Sequence, residues 1–308
     1  MYRRLTRYFC IVKNFLKKML NVKDNTAYSL CSFVLKEING SLDLPKNTEL
    51  NSESRIHEYR KTIKRCRSLL WLFKQCTDEG DYIRIDEKLS IVAGNMGERR
   101  DATVNLRTFI NLTQIHGSFL PENVRKHIIN TLTDNLNEAY SAHNNYPLKA
   151  ESVFLDILKT IRTDLITMDI SSCKRSDFIN AIDKAYYKAA QLYYDSRNIL
   201  DTEVIHKWRK STKRLLFQLK FTPGIDRILM EHTITKIEKI TNLLGQDHDL
   251  AILENILETR AGLTKEDFQK IHLVVIKDRA RLQKESFRMG EEIFSEQYVR
   301  NFRIKSYT

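Results

Sequence analysis

Proline and glycine are scarce in this chain, four and nine among 308 residues. So few helix breakers exclude the turn-dense folds built from many short strands. With Lys, Glu, Leu, Ile and Arg plentiful, they make an all-α protein of long helices the expectation. Cysteine is sparse too, and its five copies, Cys10, Cys31, Cys66, Cys76 and Cys173, are odd in number and never fall in a CxxC pair. That spacing indicates neither a disulfide framework nor a zinc knuckle and fits a reducing cytosol. No stretch approaches the roughly 18 apolar residues of a membrane span, so a soluble, cytoplasmic protein is expected. A Walker loop, a GxSxG turn and an HExxH helix are all missing, and the chain reads as a non-enzyme without a cofactor. Residues 1–24 are basic and amphipathic, with charges throughout and no small-residue cleavage site. They read as a first helix or extension rather than a secretory signal.

What the chain has in excess is positive charge. Fifty-one Lys and Arg against 39 Asp and Glu leave a formal net charge of +12, which predicts attraction to nucleic acid, polyphosphate or an anionic membrane surface without choosing among them.

The charge is concentrated in a repeat. The segment from Ile56 to Arg65, IHEYRKTIKR, matches that from Ile205 to Arg214, IHKWRKSTKR, at six of ten positions. Further along, MGERRDATV, beginning at Met96, parallels LGQDHDLAI, beginning at Leu244. Gly97 lies 40 residues after His57, and Gly245 lies 39 after His206. Two motifs in one order at nearly one spacing indicate duplication. The expected halves are 25–150 and 151–308, punctuated by turn signals at Pro121-Glu122-Asn123, Asn144-Asn145-Tyr146-Pro147 and Thr222-Pro223-Gly224. Residues 41 to 54 read as a loop ending in a helix N-terminus, and Asp201 has the same part before His206. No low-complexity linker separates the halves, so one compact pseudo-symmetric unit is expected.

A helix advances about 100° per residue, which places the charges of each motif on one side. Arg60, Lys61, Lys64, Arg65 and Arg67 share the arc of His57, with Tyr59, Ile63, Cys66, Leu69, Leu70 and Phe73 opposite. Arg209, Lys210, Lys213, Arg214 and Lys220 share the arc of His206, with Trp208, Thr212, Leu215 and Leu219 behind. From Arg55 to Arg67, and again from Glu203 to Lys220, six basic residues stand against one Glu, a net +5 each. Solvated helix faces ordinarily mix signs. Here cations recur about every 5 Å along the helix, a ladder suited to a linear polyanion, with Arg forking onto phosphate oxygens and Lys supplying a mobile charge. Reading bases would need aromatic platforms on the same arc. Only Trp71 and Phe217 lie near it, so nucleic acid is the less favoured partner.

His57 and His206 begin their helices on this reading, as ligand contacts or as caps. Metal binding is disfavoured because neither has a His or carboxylate at i+4, where Lys61 and Lys210 stand. Gly97 and Gly245 are expected to precede helix starts or tight turns, with Asp101 and Asp249 capping helices or pairing with the basic stripe. The alternative makes His248-Asp249 the metal doublet of an HD-type phosphohydrolase; the first copy, with Arg100-Asp101, speaks against it.

IHEYRKTIKRCRSLLWLF at 56–73, VIHKWRKSTKRLLFQLKF at 204–221, ERRDATVNL at 98–106 and LLGQDHDLAIL at 243–253 together resemble the CHAD family of histidine-bearing α-helical domains, over roughly residues 25 to 295. The resemblance implies two four-helix bundles related by a pseudo-twofold axis, a basic cleft between them and inorganic polyphosphate as ligand, with association to polyphosphate granules as one consequence. It also implies that His57, Arg60, Lys61, Lys64, Arg67, Arg100, His206, Arg209, Lys210 and Lys213 touch the ligand. Arg65, Arg214 and Lys220 join them from the arcs. Lys188 stands where relatives carry a denser basic run, and Lys126, Arg281 and Lys284 are further candidates from other helices. Relatives often follow a triphosphatase module with an ExExK strand; no such pattern occurs here, so the chain looks like a stand-alone binding module.

Overall fold

The computed structural model describes residues 26–295 except 48, 95–96, 118, 142–146, 224 and 226. At 52–53, 97–100, 140–141, 147–150, 227 and 229 it describes the backbone alone. The expected helix at 1–24 lies outside the described residues. Every regular element among those residues is helical. In order these are α1 (Thr26–Asp43), a 3-10 turn (Leu44–Lys46), α2 (Ser52–Leu70), a second 3-10 turn (Trp71–Gln75), α3 (Glu79–Gly94), α4 (Gly97–His116), α5 (Glu122–Ser141), α6 (Pro147–Thr167), α7 (Arg175–Ile199), α8 (Thr202–Phe221), α9 (Arg227–Arg260) and α10 (Lys265–Phe294). No helix among the described residues is long and apolar enough to cross a membrane.

The two motif helices start where short polar side chains can cap them. Asn51 accepts a hydrogen bond from the Ser54 amide at 2.8 Å. Asp201 accepts from the amides of Glu203 and Val204 at 2.9 and 3.0 Å. Both satisfy N–H groups that the first turn leaves without partners. His57 and His206 therefore sit in the second turn of α2 and α8, not at their starts. The apolar arcs face inward as the 3.6-residue period requires: Tyr59, Ile63, Cys66, Leu69 and Leu70 on α2, and Trp208, Thr212, Leu215 and Leu219 on α8, are all buried.

Packing sorts the helices into two rings and a hairpin. α1, α2, α3 and α6 pack in a closed cycle of neighbours, as do α7, α8, α9 and α10; α2 against α8 joins the two. A continuous core runs through both rings, from Val34, Tyr59 and Ile161 to Tyr193, Trp208 and Ile237. α9, with 34 residues, is about 50 Å long and outreaches its ring. Its second half, Leu250, Leu253 and Leu257, forms a separate core with Phe109 and Leu112 of α4, Ile128 and Leu132 of α5, and Ile271 and Val275 of α10. The α4–α5 hairpin thus leans on α9 rather than on α1 or α3, while also touching α2. Residue 150, the expected boundary between halves, falls inside α6, which packs on α1 and α3.

Two local expectations need correction. Gly97 does begin a helix, α4, but Gly245 lies in the middle of α9. The first copy has the breakers Gly94 and Asn95 ahead of its motif, whereas the second reads ITNLL and offers none. Asp249 is accordingly in mid-helix rather than at the start of one. The second correction concerns cysteine. Cys76 and Cys173 form a disulfide, their Cα atoms 4.9 Å apart across a separation of 97 residues, where free thiols were expected. It ties the end of the second 3-10 turn to the α6–α7 connection, beside a hydrogen bond from the Ser172 hydroxyl to the Cys76 carbonyl at 2.8 Å. Cys31 and Cys66 are free and buried; burial pushes the Cys31 thiol up to about 12.

Candidate polyanion-binding surface

α2 and α8 meet through their C-terminal halves, and the direction of the encounter follows from three contacts. The Arg65 guanidinium lies 5.9 Å from the Phe221 ring centroid, Gln218 Nε2 donates to the Ser68 carbonyl at 3.0 Å, and the Arg214 guanidinium lies 5.4 Å from the Trp71 centroid. Moving from residue 65 to 71 on α2, the partners run back from 221 to 214 on α8, so the helices cross antiparallel. The contacts are also reciprocal. Arg65 and Arg214 hold the same position in the two motifs, and each lies over an aromatic ring at the C-terminal end of the other helix. His57 and His206 consequently lie away from the crossing, in opposite directions along the helices.

The cations of the two arcs are not equivalent. Arg65 is held by Glu37 of α1 at 2.6 Å, both side chains about one-fifth exposed. Arg67 makes a two-pronged pair with Asp86 of α3 at 2.8 and 2.9 Å, and this bond holds its guanidinium above the usual arginine value. Lys220 pairs with Glu238 of α9 at 2.7 Å. These three, near the crossing, brace α2 and α8 against neighbouring helices. Farther out, Lys61 is exposed and pairs within its own helix with Glu58 at 2.9 Å. His57, Lys64 and Lys210 are exposed, while Arg60, Arg209 and Lys213 are half-buried. Lys213 lies 6.0 Å from the Phe217 centroid, so both aromatic residues near the arcs, Phe217 and Trp71, already carry a cation of this chain. The Arg100 side chain lies outside the described residues. Lys126, Lys188, Arg281 and Lys284 are exposed on α5, α7 and α10. Lys126 pairs with Glu122 at 2.8 Å, Lys188 reaches Gln191 at 3.4 Å and Arg281 lies 3.7 Å from Asp278.

α9 crosses α8 where Gly245 faces Arg209; a Cβ added there would lie 3.9 Å from the Arg209 Nε. Beside it the rings of His206 and His248 lie with centroids 4.2 Å apart, tilted at 36°. Burial, and then Lys210 and Arg209, pull His206 below the usual histidine value. Beneath this pair lies a group not anticipated from the sequence. Buried Asp247 accepts from Arg279 Nε at 3.0 Å and Gln283 Nε2 at 2.8 Å, and Arg279 also donates to the Thr202 hydroxyl at 3.0 Å. This network fixes the first turn of α8 on α9 and α10. The only sequence signal was the acidic residue within GQDHD. Among the described residues no group of three or more His, Cys, Asp or Glu is placed to hold a metal ion.

A family model described as "CHAD domain" matches residues 45–258. Among solved structures the chain is similar to PptA from Streptomyces chartreusis, with a TM-score of 0.67 and 13% identity over 87% of this chain and 99% of that one. It is also similar to the CHAD domain from the plant Ricinus communis, with a TM-score of 0.58 and 15% identity over 91% of each chain. At such identities these two likenesses bear on the fold. No curated protein sequence matches.

Proposed function

The protein belongs to the CHAD domain family, and from that premise we propose that it binds inorganic polyphosphate, without catalysis, along a track formed by α2 and α8 together. The observation that carries the proposal is the antiparallel crossing, from which the cationic stretches of α2 and α8 run in opposite directions. Eleven residues separate His57 from Ser68 and twelve separate His206 from Gln218, so two such arms laid end to end extend for roughly 35 Å at 1.5 Å per residue. Its cations are Arg60, Lys61 and Lys64 on one arm and Arg209, Lys210 and Lys213 on the other. Two like-charged arms on one crossing repel each other, and a single long anion lying over both relieves that repulsion; a short one leaves one arm exposed. The reciprocal Arg65 and Arg214 contacts support reading the arms as products of duplication.

Backbone charge is what such a track recognises. Trp71 and Phe217 are occupied by Arg214 and Lys213, which makes these two rings poor platforms for the base stacking that single-stranded nucleic acids use. Association with polyphosphate granules follows from such binding.

The test is titration of the protein with long inorganic polyphosphate, single-stranded DNA, RNA and heparin at two salt concentrations. Polyphosphate binds tightest, with an affinity that falls steeply as salt rises. Equal affinity for all four reduces the function to generic polyanion capture, and divalent-metal-dependent release of orthophosphate removes the non-catalytic part of the reading.

A further inference from the structure

The two halves of the track differ at one aligned position, where the first motif has Arg100 and the second has His248. Arginine is a permanent cation, whereas histidine changes charge near neutral pH. His248 is not alone, because its ring lies 4.2 Å from that of His206. Two imidazoles this close repel if both are protonated.

We propose that His206 and His248 form a proton-gated phosphate subsite, in which the adjacent pair takes up a proton as a phosphate of the bound chain reaches it. The α8 arm then responds to pH at a position where the α2 arm carries a fixed charge. This rests on the reading of the ligand as polyphosphate.

The surroundings explain why the proton arrives with the ligand. On its own helix His206 meets Lys210 and Arg209, which disfavour the charged ring, and Glu203, which favours it less strongly; burial disfavours it most. From α9 come His248 with Asp247 and Asp249 beside it in sequence, and the Asp247 carboxylate is already engaged by Arg279 of α10. In the unliganded protein burial first, and then Lys210 and Arg209, disfavour the charged form of His206. A phosphate placed on those two cations cancels their field and offers an acceptor for an N–H, and both effects favour protonation. The internal phosphates of the chain are strong acids, and only its two ends keep a weakly acidic proton. The ligand's own charge is thus almost constant across the range in which the histidines change.

The deciding experiment measures the affinity of the full chain for long inorganic polyphosphate at about pH 6 and about pH 8, at one ionic strength. It uses wild type, His248→Arg and His248→Gln, each checked for fold by thermal melting. One linked proton changes affinity by up to tenfold per pH unit, so wild type binds roughly tenfold tighter at the lower pH. His248→Arg binds tightly at both values and His248→Gln weakly at both, each with a reduced ratio. Because His57 and the other histidines are unchanged, the difference in ratio belongs to the pair. A His248→Gln protein that keeps the wild-type ratio, or a wild type equally tight at both values, overturns the inference and leaves polyphosphate as ligand. A purely structural role for His248 would lower both affinities alike and keep the ratio, which also overturns it. No binding at either pH sinks the polyphosphate reading itself.

Discussion

The guanidinium of Arg214, in the middle of α8, lies 5.4 Å from the centroid of Trp71, the residue that follows the last turn of α2. This contact and its counterpart from Arg65 to Phe221 hold the crossing on which the shared track depends. Cation–π pairs of this kind contribute about 0.5–2 kcal/mol according to exposure. A double-mutant cycle with Arg214→Ala and Trp71→Ala, read by denaturant unfolding, gives a coupling energy in that range. A coupling near zero would mean that this contact adds nothing to the crossing.

Arg65 and Lys210 belong to the same predicted arcs but have different roles. Arg65→Ala leaves the Glu37 carboxylate, about one-fifth exposed, without its partner and costs about 1–3 kcal/mol of stability. It leaves the salt dependence of polyphosphate binding unchanged. Lys210→Ala changes stability by no more than about 0.5 kcal/mol and lowers the salt slope by roughly 0.7. The pair of measurements separates bracing cations from ligand-facing ones, and reversed outcomes would invert the assignment.

How far these roles were legible in the sequence depends on the distance between partners. The helical period placed Tyr59, Ile63 and Cys66, and Trp208, Thr212 and Leu215, on buried faces because each face is set by residues three and four apart. Asp201 announced its cap for the same local reason. Nothing local told Arg65 from Lys64. Glu37, which separates them, lies on another helix, and only the packing of α1 against α2 brings it near. The Cys76–Cys173 bond and the His206–His248 contact were invisible on the same ground. The continuity of α9 through Gly245 was locally readable from the absence of a second breaker, but the parallel with Gly97 pointed the other way.

Gly290 on α10 admits no side chain. A Cβ there would lie 2.5 Å from Tyr193 Cε2 and 3.4 Å from Trp208 Cζ2. Tyr193 cannot swing away without breaking the bond from its hydroxyl to Glu291 at 2.7 Å. Gly290→Ala therefore destabilises the α7–α10 ring by about 1–3 kcal/mol through overpacking, measured by chemical denaturation.

The disulfide closes a separation of 97 residues, and loops of this length place its contribution toward the upper part of the usual range of about 2–4 kcal/mol. Cys76→Ser/Cys173→Ser lowers the unfolding free energy by that amount, and a reducing agent has the same effect on wild type and none on the variant. Equal stability with and without reductant would show that the link adds nothing.

His206 also gives unliganded stability a defined pH dependence. Its folded value lies below the usual 6.5, so below that value the unfolded chain binds more protons than the folded one. Its contribution is fully present above about pH 6.5 and is lost as the pH falls through the folded value. Thermal melts from pH 7.5 down to about 5 show wild type losing stability more steeply than His206→Gln; parallel curves would remove the burial effect.

The shared track is tested most directly by calorimetry with a polyphosphate chain long enough to lie along both α2 and α8. Wild type, Arg60→Ala/Lys64→Ala and Arg209→Ala/Lys213→Ala are compared at one salt concentration. The expected result is one chain per protein, with each pair of substitutions weakening that same event and lowering its salt slope. Two chains per protein, one of which keeps its full affinity in each variant, would contradict it.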